Sequence, residues 1–85
     1  MRLAVMEPQF REDLEYWTRT DRRRALRVLK LLEATLRDPF EGLGEPGPLR
    51  GGLPDTWSRR VTHEHRLVYR VKDERVHFLA ARYHY

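Results

Sequence analysis

The spacing of apolar residues changes once along this chain, and that change restricts its fold more than any other feature. Between Pro8 and Arg37 the apolar residues recur at helical intervals, which is typical of amphipathic helices. After Pro54 they alternate with polar residues, which is typical of strands with one buried face. The sequence therefore predicts a helical part followed by a sheet.

Two helices are predicted in the first part, after a first strand at residues 3–6. Pro8 suits the first position of a helix, and Thr20 and Asp21 mark the end of one helix and the start of the next. The second helix ends before Pro39, because the residue preceding a proline avoids helical dihedral angles. We expect the two helices to form a hairpin that packs on one face of the sheet.

Three further strands are predicted near residues 57–62, 65–71 and 76–82. The resulting order β-α-α-β-β-β predicts a single α+β domain over residues 1–85, with an antiparallel sheet and the helical hairpin on one side. In the first of these strands, Trp57, Arg59 and Val61 alternate with Ser58, Arg60 and Thr62. If the last strand stays extended to the chain end, Arg82 and His84 share a face.

Residues 39–54 connect the two parts through a segment that holds five glycines and four prolines. A loop of this length is either functional or a surface connection around a sheet edge.

Several function classes are disfavoured by what the chain lacks. It has no cysteine for a thiolate metal site or a disulfide, and no apolar run close to the roughly 20 residues of a membrane helix. The four histidines show no metal-binding spacing, and no glycine-rich phosphate loop or G-x-S-x-G motif occurs. The first apolar run is too short for a signal peptide. We expect a cytoplasmic protein without a metal or cofactor.

The positive charge is confined to the second half. Residues 1–48 carry 9 basic and 9 acidic side chains, whereas residues 49–85 carry 8 basic and 4 acidic ones, which accounts for the net charge of +4. Such a surface attracts phosphate or an acidic protein segment. Of the 17 basic residues 15 are arginine, a bias that suits phosphate contacts but also follows from genome composition or heat adaptation.

The basic and aromatic residues of the second half together favour RNA binding. Arginines suit phosphodiesters, tyrosines offer stacking surfaces for bases, and a histidine can transfer a proton to or from a ribose oxygen. RNA supplies its own 2′-hydroxyl nucleophile, so cleavage requires no covalent enzyme residue and no metal. The residues concerned are Arg59, Arg60, Arg66, Arg70, Arg82, His84, Trp57, Tyr69, Tyr83 and Tyr85. We expect Arg50, Arg59, Arg82 and Tyr83 to bind RNA.

Several motifs in this half belong to one known pattern. Pro39-Phe40-Glu41-Gly42, Trp57-Ser58-Arg59-Arg60-Val61-Thr62, Glu64-His65-Arg66-Leu67-Val68-Tyr69 and Arg82-Tyr83-His84-Tyr85 resemble the YoeB/Txe toxins. These toxins are members of the RelE/ParE superfamily of toxin–antitoxin modules. The similarity extends over essentially the whole chain.

The resemblance implies a RelE-like fold and a ribosome-dependent mRNA endonuclease that cuts in the A site and inhibits translation. It also implies a YefM/Phd-type antitoxin as partner and a homodimeric toxin. By position, His84 matches the general acid, Arg66 the residue that stabilises the transition-state phosphate, and Tyr85 the residue that orients the RNA. Arg60 and Glu64 match supporting site residues.

One position departs from the family pattern. The usual general base is a glutamate between two prolines, and Gly47 occupies that place here. Glu45 lies two residues upstream, about 6.8 Å away on an extended strand, so it substitutes only if this segment shifts or bulges. Glu64, another side chain or ribosomal RNA are alternatives, and so is a slow or defective nuclease. Loss of general-base assistance typically costs about 10²–10⁴-fold in rate.

Two non-enzymatic functions compete with the nuclease. ParE-like members of the superfamily poison gyrase without cutting RNA, although the Arg82-Tyr83-His84-Tyr85 terminus argues against that class. The second competitor binds RNA or the ribosome without cleavage, which the replacement at Gly47 makes plausible.

Overall fold

The helical part of the chain contains the two predicted helices. The computed structural model describes residues 1–83 and places α1 at Pro8–Thr20 and α2 at Arg22–Arg37. Asp21 separates them, because its side chain accepts a hydrogen bond from the Arg24 backbone N–H at 3.2 Å and so caps α2. Within the described range, neither helix has the length and apolar character needed to cross a membrane.

Five strands form one sheet, and α1 and α2 both pack against it. The strands are Leu3–Met6 (β1), Gly47–Pro48 (β2), Thr56–Arg60 (β3), Arg66–Val71 (β4) and Arg75–Ala80 (β5). Their order is β1-β5-β4-β3-β2, so the first strand lies beside the last. Both helices contact β5, and α2 also contacts β4. The predicted α+β class is confirmed.

Two details of the sheet differ from the prediction. The sheet is mixed, because β1 runs parallel to β5 while the other neighbours are antiparallel. Parallel pairing requires a long connection, and the chain between β1 and β5 runs through both helices and the three other strands. The short strand β2 was not predicted, because a glycine and a proline show no alternation of apolar and polar residues.

The core lies between the helices and one face of the sheet. Phe10, Val28 and Leu31 from the helices are fully buried, as are Tyr69 and Phe78 from the sheet. Burial of one such apolar side chain contributes about 1.5–3 kcal/mol. We call the opposite side of the sheet the outer face.

The glycine- and proline-rich connection passes along the edge of the sheet. Within it, Gly47 pairs with Ser58 and Pro48 with Trp57, and the N–H of Leu49 donates to the carbonyl of Thr56 at 2.9 Å. The connection therefore follows a sheet edge, as one of the two sequence interpretations expected, and it brings residues 44–47 next to the end of β3.

Candidate functional site

Two arginines oppose each other across neighbouring strands on the outer face. Arg60 ends β3 and Arg66 begins β4, and their Cα atoms are register partners. Like charges at opposed positions destabilise a sheet unless a negative group lies near them. This arginine pair is therefore a suitable binding site for an anion.

Glu45 provides a carboxylate beside the arginine pair. Its Oε1 lies 3.3 Å from Nη1 of Arg60, and its side chain is 77% exposed. The backbone turns through left-handed conformations at Gly44 (φ 84°) and Glu45 (φ 53°), and the N–H of Arg60 donates to the Gly44 carbonyl at 2.7 Å. The segment is therefore not an extended strand at Glu45.

Gly47 leaves open space where the family pattern has a side chain. It is extended in β2 opposite Ser58, and no heavy atom lies within 4 Å of the position that a Cβ would occupy. A larger residue would meet no obstruction at its first carbon. Steric crowding therefore does not explain the glycine.

The chain leaves the sheet before its end. β5 ends at Ala80, two residues before the predicted end near residue 82, and the chain is not extended at Tyr83, which has a left-handed φ of 59°. The carbonyl of Tyr83 accepts a hydrogen bond from the N–H of Arg66 at 2.8 Å. His84 and Tyr85, two predicted catalytic residues, lie outside the described residues. Tyr83, whose carbonyl makes this bond, immediately precedes His84 in the sequence.

Arg82, which was expected to bind RNA, packs against the aromatic rings of Tyr16 and Tyr83. Its Cζ lies 3.6 Å from the centroid of the Tyr16 ring and 5.1 Å from that of Tyr83, a cation–π arrangement. The reason is that α1 side chains bind the backbone of the preceding residue and so end the strand. Tyr83 itself is 61% exposed.

Arg59 is buried, and the prediction that it contacts RNA is wrong. Its side chain is fully inaccessible, and its guanidinium donates to the carbonyls of Leu43 at 2.8 Å, Glu41 at 3.1 Å and Asp38. These bonds hold the start of the connection between α2 and β2 against the sheet. Arg59 therefore stabilises the fold.

Tyr69 completes the hydrogen bonding around Arg59. The Nε of Arg59 donates to its hydroxyl at 3.2 Å, and that hydroxyl donates to the carbonyl of Pro39 at 2.7 Å. Burial raises the pKa of Tyr69 above its ordinary 10.0, and the hydrogen bond and charge of Arg59 offset part of this. Alternation places Arg59 on the side of Trp57, and that signal could have identified its buried role.

The remaining predicted residues lie in connections between strands. Arg50 is exposed in the turn after β2, and Glu64 is exposed in the bend between β3 and β4, where its N–H donates to Oγ1 of Thr62 at 3.3 Å. His77, by contrast, lies within β5, and its Nδ1 is 2.8 Å from Oε2 of Glu7. Within residues 1–83, no three His, Cys, Asp or Glu side chains are grouped so that they could hold a metal ion.

This geometry can bind a phosphate and assist proton transfer. Two guanidinium groups are the preferred partners of phosphate oxygens, and they stabilise negative charge that develops during a reaction. The Glu45 carboxylate can accept a proton from a ligand held by Arg60.

Sequence comparison relates the chain to one family. Residues 6–85 match the family described as YoeB-like toxins of bacterial type II toxin–antitoxin systems. Toxin YoeB of Mycobacterium bovis is 48% identical over 85 residues, which span the whole of both chains.

Solved structures support the same relationship. A YoeB dimer from Staphylococcus aureus has a TM-score of 0.90 at 35% identity, over 99% of this chain and 98% of that one. The toxin of a heterotetrameric YoeB–YefM toxin–antitoxin complex from the same organism has a TM-score of 0.85 at 37% identity, over the whole of both chains.

Proposed function

Because the chain belongs to the YoeB-like toxins of bacterial type II toxin–antitoxin systems, we propose that it is an endoribonuclease that cuts mRNA in the ribosomal A site without a metal ion. The observation that supports this proposal best is the arginine pair on the outer face. Tyr83, the residue before His84, is bonded to Arg66 of that pair. Arg60, Arg66 and Tyr83 therefore lie together at the start of β4, and Tyr83 is followed in the sequence by His84.

The proposed cleavage uses the nucleophile that RNA carries. The 2′-oxygen attacks the adjacent phosphorus while the bond from phosphorus to the 5′-oxygen breaks, which yields a 2′,3′-cyclic phosphate and a free 5′-hydroxyl. One group must accept the proton of the 2′-hydroxyl, and another must donate a proton to the leaving oxygen. We assign the donation to His84, because an imidazole titrates close to neutral pH.

Arg66 and Arg60 stabilise the additional negative charge of the phosphorane that forms between these steps. Guanidinium groups bind two phosphate oxygens at once, and preorganised donors contribute most where charge develops. Tyr85 orients the RNA, and the exposed residues Arg50 and Tyr83 contact other nucleotides of the same RNA.

Glu45 is the proposed proton acceptor. Its carboxylate contacts Arg60, so it lies beside any phosphate that Arg60 binds, whereas Gly47 has no side chain. Glu64 keeps the supporting role that its position in the family pattern implies. Because Glu45 is exposed and paired with a cation, we expect slower cleavage than with a glutamate at position 47, the usual place of the general base in the family.

A toxin that binds without cutting is the second candidate, and the Glu45–Arg60 contact favours it. A carboxylate that stays on Arg60 competes with RNA phosphate and does not accept a proton. The protein would then occupy the ribosome and block translation with the message intact.

We also propose a YefM/Phd-type antitoxin and a second copy of the toxin as partners, besides the ribosome and its mRNA. The Staphylococcus aureus relatives are found as a dimer and in complex with YefM. The net charge of +4 in residues 49–85 suits an acidic antitoxin segment, since complementary charge guides association.

In vitro translation of a defined message, followed by primer extension, tests the nuclease. The wild type should produce new mRNA ends at the A-site codon, and His84→Gln should reduce them by about 10²–10⁴-fold. Arg66→Gln should reduce cutting by about 10²–10³-fold, whereas Arg75→Gln, an exposed arginine at the start of β5, should leave it unchanged. Stalled ribosomes without new mRNA ends would contradict the nuclease proposal and support the second candidate, a toxin that binds without cutting.

The same assay tests the proton acceptor. Glu45→Gln should slow cutting by about 10²-fold, and adding Gly47→Glu to that variant should restore it. Glu41→Gln, an exposed glutamate in the same connection, is the matched control. Unchanged or faster cutting by Glu45→Gln would exclude Glu45 as the acceptor.

A further inference from the structure

After β5, the backbone of the last described residues is hydrogen-bonded to three side chains, in addition to the bond from the Arg66 N–H to the Tyr83 carbonyl. The N–H of Ala81 donates to Oδ2 of Asp13 at 2.8 Å, and its carbonyl accepts from Nε1 of Trp17 at 2.9 Å. The N–H of Tyr83 donates to Nδ1 of His65 at 2.7 Å. We call Asp13, Trp17 and His65 the tail anchor.

His65 is itself firmly positioned within the tail anchor. The residue is 7% exposed, and its ring meets the Trp17 ring edge-on with centroids 4.8 Å apart. The centroid of the Tyr83 ring lies 5.4 Å from that of the His65 ring. The backbone carbonyl of His65 accepts hydrogen bonds from the N–H groups of Val61 and Thr62. Backbone and ring contacts together therefore determine where Nδ1 points.

The bond to Tyr83 determines the protonation state of His65. A backbone N–H can only donate, so Nδ1 must offer a lone pair, and the proton of the neutral ring must lie on Nε2. A doubly protonated ring would present an N–H to another N–H and lose the bond.

Tyr83 depends on this bond because of its backbone conformation. Its φ of 59° lies in the left-handed region, which non-glycine residues seldom adopt without support from neighbouring contacts. Two hydrogen bonds supply that support, one from its N–H to His65 and one to its carbonyl from Arg66. Two adjacent residues thus hold Tyr83 on both sides.

We infer that His65 is a positioning residue: as the neutral ring with its proton on Nε2, it holds Tyr83 against Arg66 and so determines the point from which His84 and Tyr85 continue. The catalytic consequence rests on the proposed nuclease function, whereas the hydrogen bond itself does not. Without the acceptor on His65, Tyr83 would be held less firmly at Arg66, and the proposed proton donor is the next residue in the chain.

Cleavage kinetics on ribosome-bound mRNA separate positioning from packing. His65→Leu removes the acceptor and should lower kcat by about 10²-fold, the typical result of a small misplacement, with KM within about twofold of the wild type. His65→Asn places an amide oxygen near the position of Nδ1 and should recover most of that loss. His63→Leu alters an exposed histidine two residues away and should behave as the wild type. Equal losses in the Leu and Asn variants, or a change in KM alone, would overturn the inference.

NMR on the unaltered toxin tests the anchor independently of activity and of how well the variants fold. Long-range ¹H–¹⁵N correlations should show Nδ1 of His65 unprotonated and Nε2 protonated at neutral pH, and the Tyr83 amide should exchange slowly. A proton on Nδ1, or a fast-exchanging Tyr83 amide, would overturn the inference even if the toxin cuts RNA. The expected spectra from a toxin that does not cut would confirm the anchor and refute the nuclease, so the two failures are distinguishable.

Discussion

Arg59 and Arg60 are adjacent arginines with different surroundings, because a strand directs successive side chains to opposite faces of its sheet. Arg59 lies under the connection that follows α2 and donates to three backbone carbonyls. Arg60 stands on the outer face, with its side chain 50% exposed and in contact with Glu45. The comparison shows that an arginine within a family motif can serve the fold alone. The face it occupies decides which role it has.

The largest effect should come from replacing the two arginines in turn. Arg59→Met should lower the free energy of unfolding by about 3–4 kcal/mol, because buried carbonyls lose their donors. Arg60→Met should change it by less than about 1 kcal/mol, because it removes only an exposed ion pair. Urea unfolding followed by circular dichroism measures both. Similar losses in the two variants would contradict the division between the faces.

Two glycines of the connection that follows α2 should differ in the same way, with a smaller effect. Gly44 has φ 84°, and an added Cβ would lie 2.7 Å from Cδ2 of Leu31 and 3.1 Å from Cβ of Arg59. Gly44→Ala should therefore cost about 1–3 kcal/mol. Gly47→Ala, on the open outer face, should stay within about 0.5 kcal/mol of the wild type. Thermal unfolding of the two variants measures the difference in stability. An equal loss in Gly47→Ala would show that a side chain at position 47 is sterically restricted.

The smallest effect concerns Tyr69 and appears with pH. Since the folded state raises the pKa of this phenol, the unfolded chain loses the proton first, and stability falls as the pH rises above about 10.0. Tyr69→Phe should remove this part of the alkaline loss. At neutral pH it should cost about 1–2 kcal/mol, because Pro39 loses a donor and Arg59 an acceptor. Urea midpoints at neutral and alkaline pH test this, and an unchanged alkaline slope in the variant would argue against the raised pKa.

The helices and the central strands could be predicted because their signals are local. Pro8, Asp21 and Pro39 act on the backbone within one turn of their own positions, and alternation acts between neighbours along a strand. The parallel pairing of β1 with β5 joins opposite ends of the chain, from Leu3 to Arg75, and no local pattern specifies it.

The candidate site was predictable to a similar degree. Alternation placed Arg60 on the face opposite to Arg59, and the register then set Arg66 beside Arg60. The last strand was expected to extend to about residue 82, but contacts with α1 end β5 at Ala80. Those contacts connect residues far apart in sequence, so the strand pattern could not reveal them.

The sequence by itself determined the two helices, the central strands, the family motifs and the absence of a carboxylate at Gly47. Each of these depends on residue identity and on close neighbours in the chain. The tertiary structure alone decided that Glu45 reaches Arg60, that Arg59 is buried, and that His65 holds Tyr83 at Arg66. Each of these contacts is made when packing brings together segments that are separate in sequence, and a local pattern carries no information about that packing.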